Sequence, residues 1–255
     1  PVAAPLDQLV ITATATDASN NTSEFSQGVA VAQALGIAVQ PASQAVVQGQ
    51  NATFTVNATG AGPMSYQWRF GGANIAGATT HSYTRANAQT SDAGSYQAVV
   101  ANNASSITSS PATLTVNVPA TITAQPTNLT LVQGQNASFT VSATGDEPLR
   151  YQWRFSGTNI SGATASSYTR ANAQASDAGS YQAVVTNVAG MILSSNAVLT
   201  VLVPPAITAQ PTNQTVQRCQ NATFTVSATG DAPLSYQWRF SGTNISGATA
   251  SSYTR

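Results

Sequence analysis

Lysine is absent from the chain, and its eight basic residues are all arginine. Eight carboxylates balance them, so the formal net charge is zero, and charged residues make up only 6% of the 255 positions. Such a surface has no basic patch able to neutralise a nucleic-acid backbone or dock on an anionic membrane, which argues against a nucleic-acid partner. No apolar run approaches the roughly 20 residues that a bilayer-spanning helix needs, and membrane insertion is not expected. One cysteine, Cys219, and one histidine, His81, are present. A single cysteine cannot form an intramolecular disulfide, and the two residues are too few for a Cys/His metal site. Stability must then come from packing and hydrogen-bonded ladders. The opening Pro1-Val-Ala-Ala-Pro5 has no Met and neither region of a signal peptide, so the N-terminus reads as an internal cut.

Catalytic chemistry is missing as well. The carboxylates are scattered. Asp146 and Glu147 are adjacent, but the corresponding positions are Ala61-Gly62 in one sister segment and Asp231-Ala232 in the other. His81 becomes Ser166 and Ser251 in those segments, which argues against a proton relay. There is no Gly-rich phosphate loop between a strand and a helix. The reading is no enzyme, no catalytic residue, no cofactor and no metal.

What the chain does have is repetition. Trp68, Trp153 and Trp238 recur every 85 residues, each inside Tyr-Gln-Trp-Arg-Phe, and Phe54, Phe139 and Phe224 keep the same interval. Tyr151 to Arg170 returns unchanged as Tyr236 to Arg255, and Ser91-Asp-Ala-Gly-Ser-Tyr96 returns as residues 176–181. A period this long exceeds one solenoid turn and suits a string of small domains. Within one unit, Phe54, Val56 and Ala58 alternate with polar residues over Ala52 to Thr59. The sets Tyr66, Trp68, Phe70, then Tyr96, Ala98, Val100, then Ala112, Leu114, Val116, Val118 alternate likewise, the pattern of half-buried strands. Breakers separate them, from Gly60-Ala-Gly-Pro63 and Gly71-Gly72 to Gly77 and the Asp92-Ala-Gly94 turn. No helical stripe is present. The expected fold is all-β, an antiparallel sandwich in each repeat.

The glycine-opened strand, Phe-x-Val-x-Ala-x-Gly, the Trp strand, Tyr-x-Arg, Asp-Ala-Gly-x-Tyr and Leu-Thr-Val together resemble immunoglobulin domains of the intermediate set. More narrowly, they resemble the cysteine-free tandem versions of large secreted or surface bacterial proteins. The resemblance covers residues 37 to 255 and implies tandem Greek-key Ig-like sandwiches. It places Trp68, Trp153 and Trp238 on the strand-C tryptophan, and Tyr96 and Tyr181 on the tyrosine corner. There the ring enters the core and the hydroxyl bonds an upstream backbone group, with Asp92 and Asp177 helping to build the turn. It also marks Val56 and Ala98, and Val141 and Ala183, as the two family cysteine positions. A large and a small apolar residue replace the disulfide, and folding is freed from the redox compartment. Arg85, Arg170 and Arg255 depart from the aliphatic residue usual at that strand-E position. Pairing with Asp92 or Asp177, seven residues on, is preferred to an exposed ligand contact.

Four segments are expected: residues 1–36, the closing hairpin of an upstream β-domain; 37–118 and 119–203, two complete Ig-like domains; and 204–255, a third lacking strands F and G. In the hairpin, Leu9 to Thr16 and Thr22 to Val31 flank a turn at Asp17 to Asn21. Asn20 stands where glycine is usual, and a calcium site from Asp17, Asn20 and Glu24 is weighed there but not favoured. The third repeat, without its tyrosine strand, is expected to be unstable alone or to borrow strands, and Cys219 replaces its turn glycine (Gly49 and Gly134 in the others). Asn-x-Ser/Thr triplets such as Asn51, Asn128 and Asn159 are compositional. Two functions compete. One is a non-catalytic spacer, stalk or adhesive array on a secreted or cell-surface protein, its partners being neighbouring domains of the same polypeptide and a cell-surface protein or glycan. The other is an accessory region binding polysaccharide or protein beside a secreted enzyme, with Phe70 the best solvent-facing aromatic. The spacer reading is preferred, because the other aromatics run in phase with the core.

Overall fold

In a computed structural model of the protein, residues 10–23, 29–30 and 33–255 are described. They form two compact units, Pro1–Pro119 and Ala120–Arg255.

The first unit opens with a small antiparallel ladder, β1 (Val10–Ile11) on β2 (Val29–Ala30), closed by a Thr16–Thr22 bridge. Asn20 holds the turn at φ 65°, a left-handed conformation that asparagine tolerates. The strands that follow are β3 (Gly36–Val39), β4 (Gln44–Val47), β5 (Ala52–Thr55), β6 (Asn57–Thr59), β7 (Ser65–Phe70) and β8 (Ala73–Asn74). Next come β9 (Ser82–Arg85), β10 (Gly94–Ala101), β11 (Ser106–Thr108) and β12 (Ala112–Asn117). One layer pairs β3 with β6 and β5 with β9; the other runs β4-β12-β10-β7-β8, with β11 beside β10.

Two features differ from the expected antiparallel pattern, and each has a local cause. The β4–β12 pair is parallel, Leu114 opposite Gln44 through Asn117 opposite Val47. Between β3 and β4 lies buried Pro41, which cannot donate to a ladder, so the chain leaves one layer and joins the other. The strand expected over residues 52–59 is likewise broken at Val56. Its residues before Val56 pair with β9 and those after it pair with β3, while the Val56 amide donates to the His81 carbonyl at 3.0 Å. Val118 also falls outside β12, in the connection that follows.

The core follows the alternation. Phe54, Val56, Trp68, Tyr96, Ala98 and Leu114 are buried between the layers. Side chains at every second position of β10 and β12 share that core because strand side chains alternate faces.

The second unit repeats the plan. Its strands are β13 (Thr121–Ala124), β14 (Leu129–Val132), β15 (Ala137–Thr140), β16 (Ser142–Thr144), β17 (Arg150–Phe155) and β18 (Thr158–Asn159). They continue with β19 (Ser167–Arg170), β20 (Gly179–Asn187), β21 (Gly190–Leu193) and β22 (Ala197–Leu202). Sheet order is β14-β22-β20-β17-β18, again with a parallel β14–β22 edge and a buried proline, Pro126.

The third repeat, in the same unit, has only β23 (Ala206–Ala209), β24 (Thr223–Thr225), β25 (Ser227–Thr229), β26 (Arg239–Phe240), β27 (Thr243–Asn244) and β28 (Ser252–Thr254). Residues 210–222, the counterpart of β4 and β14, contain no strand, and Pro211 is exposed. A parallel edge strand needs its partner, and here the equivalent of β12 and β22 is not among the described residues.

Candidate functional site

The chemically distinctive groups of the first unit meet at one corner. Residues Thr90–Asp92 form a single 3-10 turn, and the Asp92 carboxylate caps it by accepting from the Gln89 amide at 2.8 Å. The same carboxylate lies 2.9 Å from Arg85 Nε on β9. The Nε–H is not aimed along that line, so this contact is charge pairing and not an aligned hydrogen bond. Tyr96 on β10 donates its hydroxyl to the Asp92 carbonyl at 2.9 Å, while its ring stacks on Phe54 with centroids 4.7 Å apart. A chain of amides ties the turn to β4: Gln48 donates to Gln89 at 2.8 Å, and Gln89 donates to the Asn87 carbonyl at 3.0 Å.

The second unit builds the same corner. Gln174 donates to Asp177 at 2.8 Å, Arg170 pairs with Asp177 at 2.9 Å, and the Tyr181 hydroxyl donates to the Asp177 carbonyl at 2.9 Å. Phe139 stacks on Tyr181 at 4.6 Å.

Ionisation follows this geometry. Burial works against the charged Asp92 and Asp177, but the Gln89 or Gln174 amide and the paired arginine outweigh it and hold both carboxyls below the ordinary value. Burial pushes both corner tyrosines up to about 12, aided by Tyr83 and Asp92 in one repeat and by Tyr168 and Asp177 in the other. A carboxyl depressed on folding stabilises above its unfolded pKa and loses that contribution as pH falls through the folded one. A tyrosine raised on folding stabilises below its unfolded pKa near 10, and this is lost as pH rises towards 12. Urea midpoints are therefore expected to be level at neutral pH, to fall below about pH 4, and to fall again between about pH 10 and 12. Arg85→Ala leaves Asp92 with only its backbone donor. A loss of about 1 kcal/mol, or a drop of about 4–8 °C in that repeat's calorimetric midpoint, is the expected outcome.

Val56 and Ala98 are both fully buried in one core with Trp68, and Ala98 stands opposite Trp68 in the β10–β7 register. Val141 and Ala183 occupy the same places around Trp153. Trp68 and Trp153 donate their indole N–H to the Thr80 and Ala165 carbonyls, each at 3.0 Å. Trp238 keeps that bond, to Ala250 at 3.0 Å, but is only half-buried.

Phe70 is not a solvent-facing platform. It is packed against the core, 4.9 Å from the Tyr96 ring, and covers Gly94, where a Cβ would come within 2.8 Å of it. Its phase with Trp68 and Tyr66 makes it a core residue at the strand end. In the hairpin turn, Asp17 accepts from the Ser19 and Asn21 amides at 2.8 and 2.9 Å and from the Asn21 side chain at 3.1 Å. The Asn21 amide foremost, then its side chain and the Ser19 amide, lower the Asp17 pKa. Asp17 thus serves the turn, and Glu24 lies outside the described residues. Among those residues no three His, Cys, Asp or Glu side chains gather into a metal-binding group. Cys219 is exposed at φ 71°, in the left-handed position held by Gly49 and Gly134 in the other repeats.

Several polar residues that hold the corner's surroundings went unnoticed in the sequence. Buried Ser109 accepts from the Ala98 amide at 2.9 Å and donates to the Ser110 carbonyl at 3.0 Å, as Ser194 does beside Ala183. Gln67 donates to both Trp68 and Ile75 carbonyls at 2.8 Å, clamping the turn after β7. Their signal was recurrence at the 85-residue period, the same signal the tryptophans carry.

The comparisons agree with this construction. The family model for the immunoglobulin domain matches residues 36–102 and 119–187, just over half of the chain. The chain belongs to the immunoglobulin domain family. No curated protein sequence matches it. Among solved structures, a three-immunoglobulin fragment of titin in an E-to-A mutated variant is similar to it, with a TM-score of 0.67 and 19% identity, covering 86% of this chain and 83% of that one. An I-band fragment of titin gives a TM-score of 0.66 at 18% identity, covering 86% and 87%. These likenesses show a tandem immunoglobulin fold. The tyrosine corners and tryptophan cores described above are thus the corners and cores of immunoglobulin domains in series.

Proposed function

We propose that the chain is a non-catalytic string of immunoglobulin domains acting as spacer, stalk or adhesive array within a larger extracellular bacterial protein. One observation carries this reading: in the first two repeats, the residues repeated most faithfully are used up inside the sandwich. Tyr96, Asp92 and Arg85 bond to one another and to the backbone, and the recurring aromatics face the core. The segments are 1–36, 37–118, 119–203 and 204–255, with Val56, Ala98, Val141 and Ala183 standing at the positions of a lost disulfide. That loss suits passage through a reducing compartment before export.

The connection into the third repeat favours a stiff join. Asp231 accepts from the Val203 amide at 2.8 Å and donates its own amide to the Val203 carbonyl at 3.0 Å, beside Pro204 and Pro205. Proline limits the flexibility of such a linker. Neighbouring domains of the polypeptide are the first partners, and a surface protein or glycan is the partner if the array is adhesive.

The decisive experiment exchanges residues 37–203 in the full reading frame for an unrelated two-domain immunoglobulin segment of equal length. A spacer keeps the activity of the parent protein and shows surface exposure to protease on intact cells. Loss of glycan or protein binding with correct export would favour an accessory binding region instead.

A further inference from the structure

The outer face of the second repeat departs from that of the first, and the departure runs one way. At the repeat spacing, Asn103, Ser106, Thr108, Thr113 and Asn117 become Val188, Met191, Leu193, Val198 and Leu202. The inward residues among them keep their identity, since Ile107, Leu114 and Val116 become Ile192, Leu199 and Val201. Only the solvent side has turned apolar.

All five replacements are exposed, Val188 at 68% and Met191 at 64%, and exposed Val132, opposite Leu202 in the β14–β22 register, adds a sixth. Val188 lies in the turn from β20 to β21, and the rest form a stripe along the outer side of β21, β22 and β14. Val184, opposite Leu193 on that same face, is already buried, whereas its counterpart Val99 is half-buried. Strands β13 to β22 are paired on the plan of β3 to β12, so the exposure does not come from a missing strand. Met191-Ile-Leu193 and Ala197-Val-Leu-Thr-Val-Leu202 are nearly continuous apolar runs, the sequence of strands covered on both faces. The core covers one face.

The six side chains present on the order of 500 Å² of surface, the size at which a patch on a monomer marks an interaction site. None of them is aromatic, as a sugar platform needs, and none is basic, as an anionic membrane needs. The stripe is flat and aliphatic, and sheet faces of that kind pack on one another about 10 Å apart. A second copy of the chain offers the same face. Two stripes together bury about 1,000 Å², where specific interfaces begin.

We propose that this face joins two copies of the chain, second repeat to second repeat, about a two-fold axis. The pairing goes beyond the spacer reading and does not rest on it, because an array spans its distance whether single or paired. Sedimentation equilibrium of the 255-residue protein is expected to show monomer and dimer with a Kd on the order of 10–100 µM, in keeping with a small interface. The chain has two methionines, Met64 and Met191, which make a paired probe. With labelled methyl groups, the Met191 signal is expected to move with protein concentration, while that of Met64, packed against the first core, stays in place. Met191→Ser combined with Leu193→Thr installs the residues that the first repeat carries there, and should weaken the dimer at least about tenfold. The methyl reading needs no substitution at the face, so it decides the matter even if the double variant folds poorly. A monomer at every concentration up to about 1 mM would overturn the proposal. So would a dimer that the folded double variant keeps at full strength, or one that leaves the Met191 signal unmoved.

Discussion

Trp153→Ala is expected to destabilise the second repeat by about 3–5 kcal/mol, and Trp68→Ala the first by the same amount. Both indoles are fully buried, both lie about 6 Å from a core phenylalanine ring, and both donate to a backbone carbonyl. Truncation removes the ring's burial, opens a cavity against Ala183 or Ala98, and leaves a carbonyl without its donor. Against a typical domain stability of about 5–15 kcal/mol, this brings a single repeat close to unfolding. The thermal midpoint of that repeat should drop by roughly 15–30 °C. Trp238→Ala should cost much less, because Trp238 is half-buried in an open groove. Pulse proteolysis with peptide mapping reads each repeat separately. Equal losses at all three tryptophans would mean that the third repeat is packed as tightly as the others.

How much of this could be read beforehand depended on how local the cause was. Alternation over Tyr96, Ala98 and Val100 is a property of one strand, so the core face was plain in the sequence. The Tyr96 corner was legible through family resemblance, since four residues of spacing do not by themselves place a hydroxyl on a carbonyl; the Arg85–Asp92 pair was legible only as opposite charges seven residues apart, at a position where the arginine departs from that resemblance. The parallel β4–β12 edge was not legible. Gln44–Val47 and Ala112–Asn117 lie some 70 residues apart, and nothing in either segment states its direction relative to the other. The break at Val56 was hidden for a related reason: the side-chain period continues straight through it while the hydrogen-bond partner changes. Phe70 was misjudged because it ends its strand, where alternation no longer says whether a neighbour covers the ring. The neighbour is Tyr96 on β10, together with the space that Gly94 leaves empty.

That empty space sets the second large effect. Gly179→Ala is expected to cost the second repeat about 2–4 kcal/mol, from two sources that can be separated. The backbone at Gly179 has φ 152°, which an L side chain adopts only under strain, and the new Cβ would stand 2.8 Å from Phe155 Cε2 and 3.1 Å from Cζ. The ring cannot simply retreat, because Tyr181 holds it at 5.0 Å on the core side and Tyr181 is itself tied to Asp177. Gly190→Ala isolates the backbone share: its φ of 142° is close to that of Gly179, and nothing lies within 4 Å of its Cβ. A loss of about 1 kcal/mol is expected there. Phe155→Leu combined with Gly179→Ala isolates the steric share, since a smaller side chain relieves the clash but not the dihedral. The double variant should then be less destabilised than the sum of the singles by about 1–2 kcal/mol in urea titrations. Strict additivity, or a Gly179→Ala cost no greater than that of Gly190→Ala, would show that the ring is free to move and that the corner does not depend on it.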